Sequence, residues 1–316
     1  MSTLSVIVNT KNSARYLRAA LASVAAIADE IVLVDMNSQD ETLAIAAEFD
    51  QVKIYQYPQP EVGYADPARE YAFARAHGDW LLILDSDEQL PPRLARIIRQ
   101  LVDGQKIPSL ADLPAADIYY LPRHNEIFGH YMDKTGWYPD YQLRLWRAGT
   151  IQWRVGVHSQ PKVMGQTAYL PYDDKRLAIQ HHNYQHVTQW WARADRYTSA
   201  AASERATTCQ AKNWRPADLW QSFFDEWWRR AFRDEGLLEG SHGIVMSLLQ
   251  SSYELAVAAK VWEAQGFPAG TLDDQELVAL RQRFLAEAHY WWADLMVRRT
   301  RGLARLYWRV RRKWRW

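Results

Sequence analysis

The chain has 316 residues, 48% of them hydrophobic, with a formal net charge of +1 and one cysteine, Cys209. That is enough apolar material for one large domain or two smaller ones. It excludes a polyanion-binding charge balance over the whole molecule, and it excludes an internal disulfide framework, which fits a reducing compartment. The charge is unevenly placed: residues 298–316 hold nine Lys or Arg and no acid, so the remainder is net acidic. No basic region followed by a long apolar run opens MSTLSVIVNT, so no signal peptide is expected. The longest purely apolar runs are about five residues, against the ~20 needed to cross a bilayer.

Leu4–Val8 (LSVIV) reads as a buried strand. Asn12 or Ser13 can start a helix whose Leu17, Leu21, Val24 and Ile27 share one face. Ile31–Val34 (IVLV) is a second strand ending at Asp35, a helix follows Asp40 as its N-cap, and Val52–Tyr57 is a third strand. Residues 67–77 read as a helix and Trp80–Leu84 as a fourth strand, after which Pro91 and Pro92 open another helix. Continuous apolar strands alternating with helices predict a parallel sheet covered on both faces. Ligands of such sheets sit beyond the carboxyl ends of the strands. Thr10, Asp35 and Asp85 lie just past three of those ends.

Between 105 and 180 the chain is irregular, with short strand-like pieces such as IYYLPR and YQLRLWR. From Thr188 it reads as helical, with candidate helices at 188–206, 216–233, 243–264 and 273–312. The expected organisation is a catalytic domain over 1–185, a helical region over 186–297 and a basic tail over 298–316.

The run WLLILDSDE carries a strand straight into three carboxylates. Asp-Ser-Asp at a strand end suits a hard divalent cation, Mg²⁺ or Mn²⁺, which prefers oxygen ligands and is often completed by substrate phosphates. The alternative is a solvated loop in which Asp87 or Glu88 caps the helix starting near Pro91. Asp35 can accept hydrogen bonds from a base or ribose.

The segments LSVIVNTKN, EIVLVDMNSQDET and AREYAFARAHGDWLLILDSDE, followed by PDYQLRLWRAG at 139–149 and GVH at 156–158, resemble inverting family 2 glycosyltransferases of the glycosyltransferase A fold. Within them the chain is most similar to lipopolysaccharide core sugar transferases of the β-1,4-glucosyltransferase-like branch. The resemblance implies an α/β, Rossmann-like nucleotide-sugar-binding domain with a C-terminal helical region. It implies a nucleotide-sugar donor, UDP-hexose by family habit, with Thr10, Asn12 and Asp35 near the nucleoside and Arg69 facing the donor. Asp85 and Asp87 then hold donor and metal, and His158 supplies a further metal ligand, or is a structural histidine. Two positions depart from the family pattern. Asn37 replaces a turn glycine and is expected to adopt the left-handed conformation. Ser159 stands where related chains carry a Glu after Val-His.

Inverting transfer needs a base for the acceptor hydroxyl. Asp140 is the candidate, with Glu126 and Glu88 as rivals. Asp140 could instead pair with Arg144, or Arg144 could contact the donor diphosphate. Trp137, Tyr138 and Tyr141 offer flat faces to a sugar or pack in the core. His181 and His182 are given no role.

In the tail, Leu303, Leu306, Tyr307, Val310 and Trp314 share a helix face among arginines. This is the composition of a helix lying in a membrane interface, so the expected partners are a glycan or lipid-linked acceptor and an anionic membrane surface, with the protein peripheral on the inner face of the cell membrane. No nucleic-acid partner is expected. The competing functions are a sugar nucleotidyltransferase, disfavoured because NTKNSARYL lacks a glycine-rich loop after the first strand, and a glycan-binding protein with a degenerate transferase fold.

Overall fold

The structure, a computed structural model, describes residues 1–59, 66–153, 161–206 and 215–314. In chain order its strands are β1 (Leu4–Thr10), β2 (Glu30–Asp35), β3 (Val52–Gln56), β4 (Trp80–Ile83), β5 (Glu88–Gln89), β6 (Ile118–Ile127), β7 (His130–Tyr131), β8 (Asp140–Arg147), β9 (Ile151–Gln152), β10 (Lys162–Val163), β11 (Thr167–Tyr169) and β12 (Ile179–Tyr184). Its α-helices are α1 (Ala14–Val24), α2 (Thr42–Ala46), α3 (Asp66–Phe73), α4 (Pro92–Val102), α5 (Val187–Ala206), α6 (Pro216–Trp227), α7 (Gly240–Ala264), α8 (Asp274–Arg299) and α9 (Gly302–Trp314). The chain forms two compact units, Met1–Glu126 with Tyr138–Asn183, and Ile127–Trp137 with Tyr184–Trp316. Residues 127–137 thus belong to the helical unit, although they lie within the 1–185 span that the sequence pattern treats as one domain.

The first unit is built on a sheet of order β3-β2-β1-β4-β8-β6-β12-β5. Its first half is the expected parallel arrangement: β1 pairs parallel with both β2 and β4, and β2 with β3. The second half is antiparallel, with β8 between β4 and β6. The purely parallel expectation therefore holds for the first four strands only. Alternation along each strand divides the core between the two faces: Leu4, Val6 and Val8 of β1 pack on α1 and α4, while Ile7 packs beneath α3. The four residues expected inside, Leu17, Leu21 and Val24 of α1 and Ile27 just beyond its end, are buried.

Where β8 meets β6, Leu145 pairs with Tyr119 and Leu143 with Tyr120, leaving Arg144 as an extra residue. Such a bulge re-aims the side chain it carries. Leu145 and Leu143 then pack on opposite faces of the sheet.

The second unit is helical. The single helix expected over 273–312 is two, because Thr300 is extended and Gly302 takes φ +57°. α8 starts on a reciprocal cap in which Asp273 accepts from Glu276 N and Glu276 from Asp273 N. α6 continues into a π-helical turn at Trp228–Arg233.

Gly78 enters β4 against β1, and a Cβ there would lie 2.6 Å from Ser5 N and 2.9 Å from Trp80 O. Backbone atoms have no room to give, so Gly78→Ala should cost about 1–3 kcal/mol, read as a lower urea midpoint. An unchanged midpoint would show that the β1–β4 approach is looser than described.

Candidate active site at the carboxyl edge of the sheet

The carboxyl ends of β1, β2 and β4 bring two clusters together. The first is the turn between β2 and α2. Asp35 is fully buried, and its two oxygens accept from Ser38 N at 3.0 Å and Ser38 Oγ at 2.5 Å. Asn12 Oδ1 accepts from Gln39 N at 2.7 Å, and Asn12 N donates to Ser38 Oγ at 2.9 Å. Asn12 and Asn37 both take positive φ, 50° and 63°. The Asn37 turn therefore forms as expected without its glycine, since Asn tolerates this region. Asp40 accepts from Ala14 N and from Thr42 N, both at 3.1 Å, so it satisfies the first turns of α1 and α2 together. Thr10 is buried, and its Oγ1 has no hydrogen-bond partner among the described residues.

The second cluster follows β4. Arg69 Nη2 donates to Asp85 Oδ1 at 3.2 Å, and Arg144 Nη2 to Asp85 Oδ2 at 2.5 Å. The same Arg144 nitrogen donates to Glu88 Oε1 at 2.6 Å, which also accepts from Arg123 Nη1 at 3.1 Å. Arg123 then reaches Asp140 Oδ2 through Nε at 2.9 Å and Nη2 at 2.6 Å. Positive and negative groups alternate through six side chains, from Arg69 to Asp140. Asn125 and Gln142 complete the Asp140 carboxylate at 3.1 and 2.7 Å. Burial pushes the Asp85 carboxyl up, but Arg144 and Arg69 outweigh it and hold it well below the usual carboxylate range. Burial likewise raises Asp140, and Arg123 with the Asn125 and Gln142 hydrogen bonds lowers it further than burial raises it. Arg144 is held in its charged form by Asp85 and Glu88 against the opposing effect of burial.

Asp87 stands outside this chain. Its side chain is 25% exposed, with His181 Nε2 at 3.6 Å, and the other ring nitrogen of His181 meets Asn125 Oδ1 at 2.6 Å. Next along β12, His182 pairs with Glu126 through Nδ1 and meets Gln89 Nε2 at 3.0 Å through Nε2, its ring stacked 4.8 Å from Tyr16. Among the described residues no group of three or more His, Cys, Asp or Glu forms a metal cage. One part-exposed carboxylate fits Mg²⁺ or Mn²⁺ in the mode where phosphate oxygens and water complete the shell. His158 and Ser159 lie outside the described residues.

Several expected roles change. The bulge turns Arg144 inward, and it is buried on Asp85 and Glu88. Asp140 pairs with Arg123, not with Arg144. Glu88 is neither a base nor a helix cap, because it is fully buried and accepts from the Asp85 backbone N at 3.0 Å as well as from two arginines. α4 begins at Pro92 after the N-cap Pro91, with no side-chain cap. Asp35 closes the turn after β2 by accepting from Ser38. Trp137 packs in the core of the helical unit with Tyr184, whereas Tyr141 OH donates to Leu170 O at 2.7 Å within the first unit. Sequence reasoning passed over Arg123, Asn125 and His181. A signal existed: each is a polar residue in an otherwise buried strand, and such groups need partners.

A mixed α/β sheet of this order, followed by a helical region, is the glycosyltransferase A architecture. Residues 5–151 match the model of glycosyl transferase family 2. An uncharacterized glycosyltransferase of Rickettsia felis is 35% identical over 94 residues, covering 30% of this chain and 32% of the relative. Another from Rickettsia bellii is 32% identical over 102 residues, covering 32% of this chain and 33% of the relative. The chain thus spans about a third of the length of these curated relatives. The crystal structure of S. aureus TarS 1-349 in complex with UDP-GlcNAc aligns over 99% of this chain and 89% of that one, with 15% identity and a TM-score of 0.45.

Removing one partner from a buried charged network leaves the others uncompensated. Glu88→Gln should lower unfolding free energy by roughly 3–5 kcal/mol, measured in urea. Because the folded-state affinities of Asp85 and Asp140 for protons are depressed, their stabilisation is fully present above the ordinary Asp value of about 3.9 and is lost as pH falls below it. The acid loss should be shallower in Asp140→Asn; an identical acid limb would mean that Asp140 gains nothing from Arg123.

Proposed function

We propose that the first unit is an inverting hexosyltransferase that moves a sugar from a nucleotide diphosphate sugar, UDP-hexose in the leading case, to a glycan or lipid-linked glycan of the kind extended by lipopolysaccharide core transferases. The observation that carries this is the division of labour in Asp-Ser-Asp within a family 2 domain: arginines fix Asp85, while Asp87 remains part-exposed at the same edge.

The nucleoside is placed along the β1–β2 edge, against Thr10 and the Asn12–Gln39 turn, with Asp35 supporting that turn from below. Arg69, part-exposed on α3, faces the diphosphate while it orients Asp85. Asp87 would hold Mg²⁺ or Mn²⁺, which when bound neutralises charge on the departing diphosphate. Asp140 takes the proton of the acceptor hydroxyl as that oxygen attacks the anomeric carbon and the sugar–diphosphate bond breaks. A carboxylate held low is a weak base, so the acceptor hydroxyl replaces Gln142 on Oδ1 and raises its proton affinity. The acceptor reaches the enzyme at an anionic membrane surface met by α9. No described helix is long and apolar enough to cross a membrane, whereas Leu303, Leu306, Tyr307, Val310 and Trp314 of α9 are all exposed. Each basic residue near an anionic leaflet contributes about 1 kcal/mol.

With UDP-hexoses and Mg²⁺ or Mn²⁺, Asp87→Ala should reduce transfer by about 10²-fold or more and abolish the response to chelator. Asp140→Asn should cost roughly 10²–10⁴-fold in kcat with donor affinity retained. Full activity of Asp87→Ala would remove the metal assignment, and full activity of Asp140→Asn would move the base elsewhere. For the membrane, the double substitution Leu306→Glu, Val310→Glu should abolish co-sedimentation with phosphatidylglycerol vesicles; unchanged sedimentation would dismiss α9 as the docking helix.

A further inference from the structure

The helical unit carries an apolar groove that glycosyl transfer does not use. It lies between α6, α7 and α8 and encloses about 650 Å³, within the ~300–1,000 Å³ typical of small-molecule sites. Its walls are Trp220 and Phe223 of α6, Leu255 of α7, and Leu277 and Leu280 of α8. Phe224 and Phe284, edge to face at 5.0 Å, fix its inner wall, and Trp220 stands 4.8 Å from Phe224. Trp220, Leu255 and Leu277 are exposed despite their size. Grouped apolar exposure of this kind marks a binding surface, because scattered residues would not share one concavity. Among the described lining residues the charged group is Arg281, exposed on α8, while Arg283 two residues on is tied to Asp225 at 2.8 Å.

Helical spacing extends the groove. Leu277, Arg281, Phe284, Ala288 and Trp292 follow one face of α8 at steps of three and four. The far end of that stripe meets α9, where Ala288, His289 and Trp292 line a second crevice with Trp308 and Arg311. One helix thus joins a hydrocarbon-lined groove with an arginine at its rim to a basic amphipathic helix. A ligand matching both features has a long hydrocarbon chain and an anionic head.

We propose that this groove takes one acyl chain of an anionic bilayer phospholipid, with Arg281 on its phosphate. Charge complementarity selects the lipid: Arg281 is the charged side chain of the described lining and α9, at the far end of the stripe, is basic, so a zwitterionic head loses the contact that an anionic head makes there. The assignment presupposes that α9 meets an anionic bilayer, and the test separates the two.

The probe is monomeric palmitoyl-lysophosphatidylglycerol, titrated into the full chain and followed by calorimetry and native mass spectrometry. One molecule should bind per chain, at least tenfold more tightly than palmitoyl-lysophosphatidylcholine. Arg281→Glu should remove that preference, and Leu280→Trp, which fills the groove, should abolish binding of both, with helical content and melting unchanged. Leu306→Glu, Val310→Glu should retain lysolipid binding while losing vesicles, so failure of the α9 assignment is read independently. Equal affinity for the two lysolipids, binding indifferent to Leu280→Trp, or binding of a polyprenyl phosphate in place of the lysolipid would each overturn the proposal.

Discussion

The alternating file of charges from Arg69 to Asp140 is the constraint on which the first unit turns. Bare carboxylates at Asp85, Glu88 and Asp140 would repel one another, and burying any of them alone would cost several kcal/mol. Three guanidinium groups interleaved among them convert repulsion into attraction and supply the hydrogen bonds that burial demands. The contributing side chains come from α3, the β4–β5 turn, β5, β6 and β8. The file therefore ties the parallel half of the sheet to the antiparallel half at the edge where a ligand would enter. The bulge at Arg144 is what lets this happen: without the extra residue, regular alternation would continue along β8 with one register throughout.

That arrangement gives two aspartates two residues apart in one motif different chemistry. Asp85 is saturated by arginines and holds position, whereas Asp87 has only a distant imidazole beside it among its described partners. In the proposed mechanism a cation at this edge would be held by Asp87 among the described carboxylates and would complete its shell from phosphate and water. The described residues offer no group of three or more ligands that would hold an ion by themselves, so in that mechanism the ion depends on the diphosphate it meets. The same logic bears on Asp140. Arg123 keeps it ionised and oriented at the expense of basicity, so its usefulness as a base depends on what an acceptor does to its hydrogen bonds.

Much of the first unit was legible in its residues. Strands β1, β2 and β4 announce themselves as short apolar runs, and α1 as a periodic apolar face, because each is decided by local pattern and burial. The turn at Asn37 was legible for the same reason, as asparagine's tolerance of positive φ is a property of the residue alone. The antiparallel half was not, since β6 and β8 carry arginine, histidine and asparagine in place of clean alternation. Arg144 illustrates the limit. Its charge and its place near Asp140 were visible, but a bulge opposite Tyr119 and Tyr120 depends on a pairing more than twenty residues away, and that pairing sends the guanidinium inward. His181 is similar: nothing local distinguishes it from His182, and only the sheet decides which imidazole is buried on Asn125.

The helical unit shows a different relation between sequence and fold. Tryptophan and leucine in amounts that normally fill a core here also remain on the surface, as at Trp220, Trp292 and Leu303. α8 is the clearest instance. Its C-terminal half buries Ala293, Leu295 and Val297, while Leu277, Val278 and Trp292 stay exposed. A helix apolar on more than one face is stable in water only as far as its buried face contributes, and every exposed apolar side chain lowers solubility without adding stability. The arginines of α9 offset that loss of solubility, and they would serve equally to hold the same surface against negative charge. Because Thr300 and Gly302 break the run, α9 folds back on α8 and seats Arg312 on Asp294 at 2.7 Å, so that the basic helix and the aromatic stripe of α8 share one crevice.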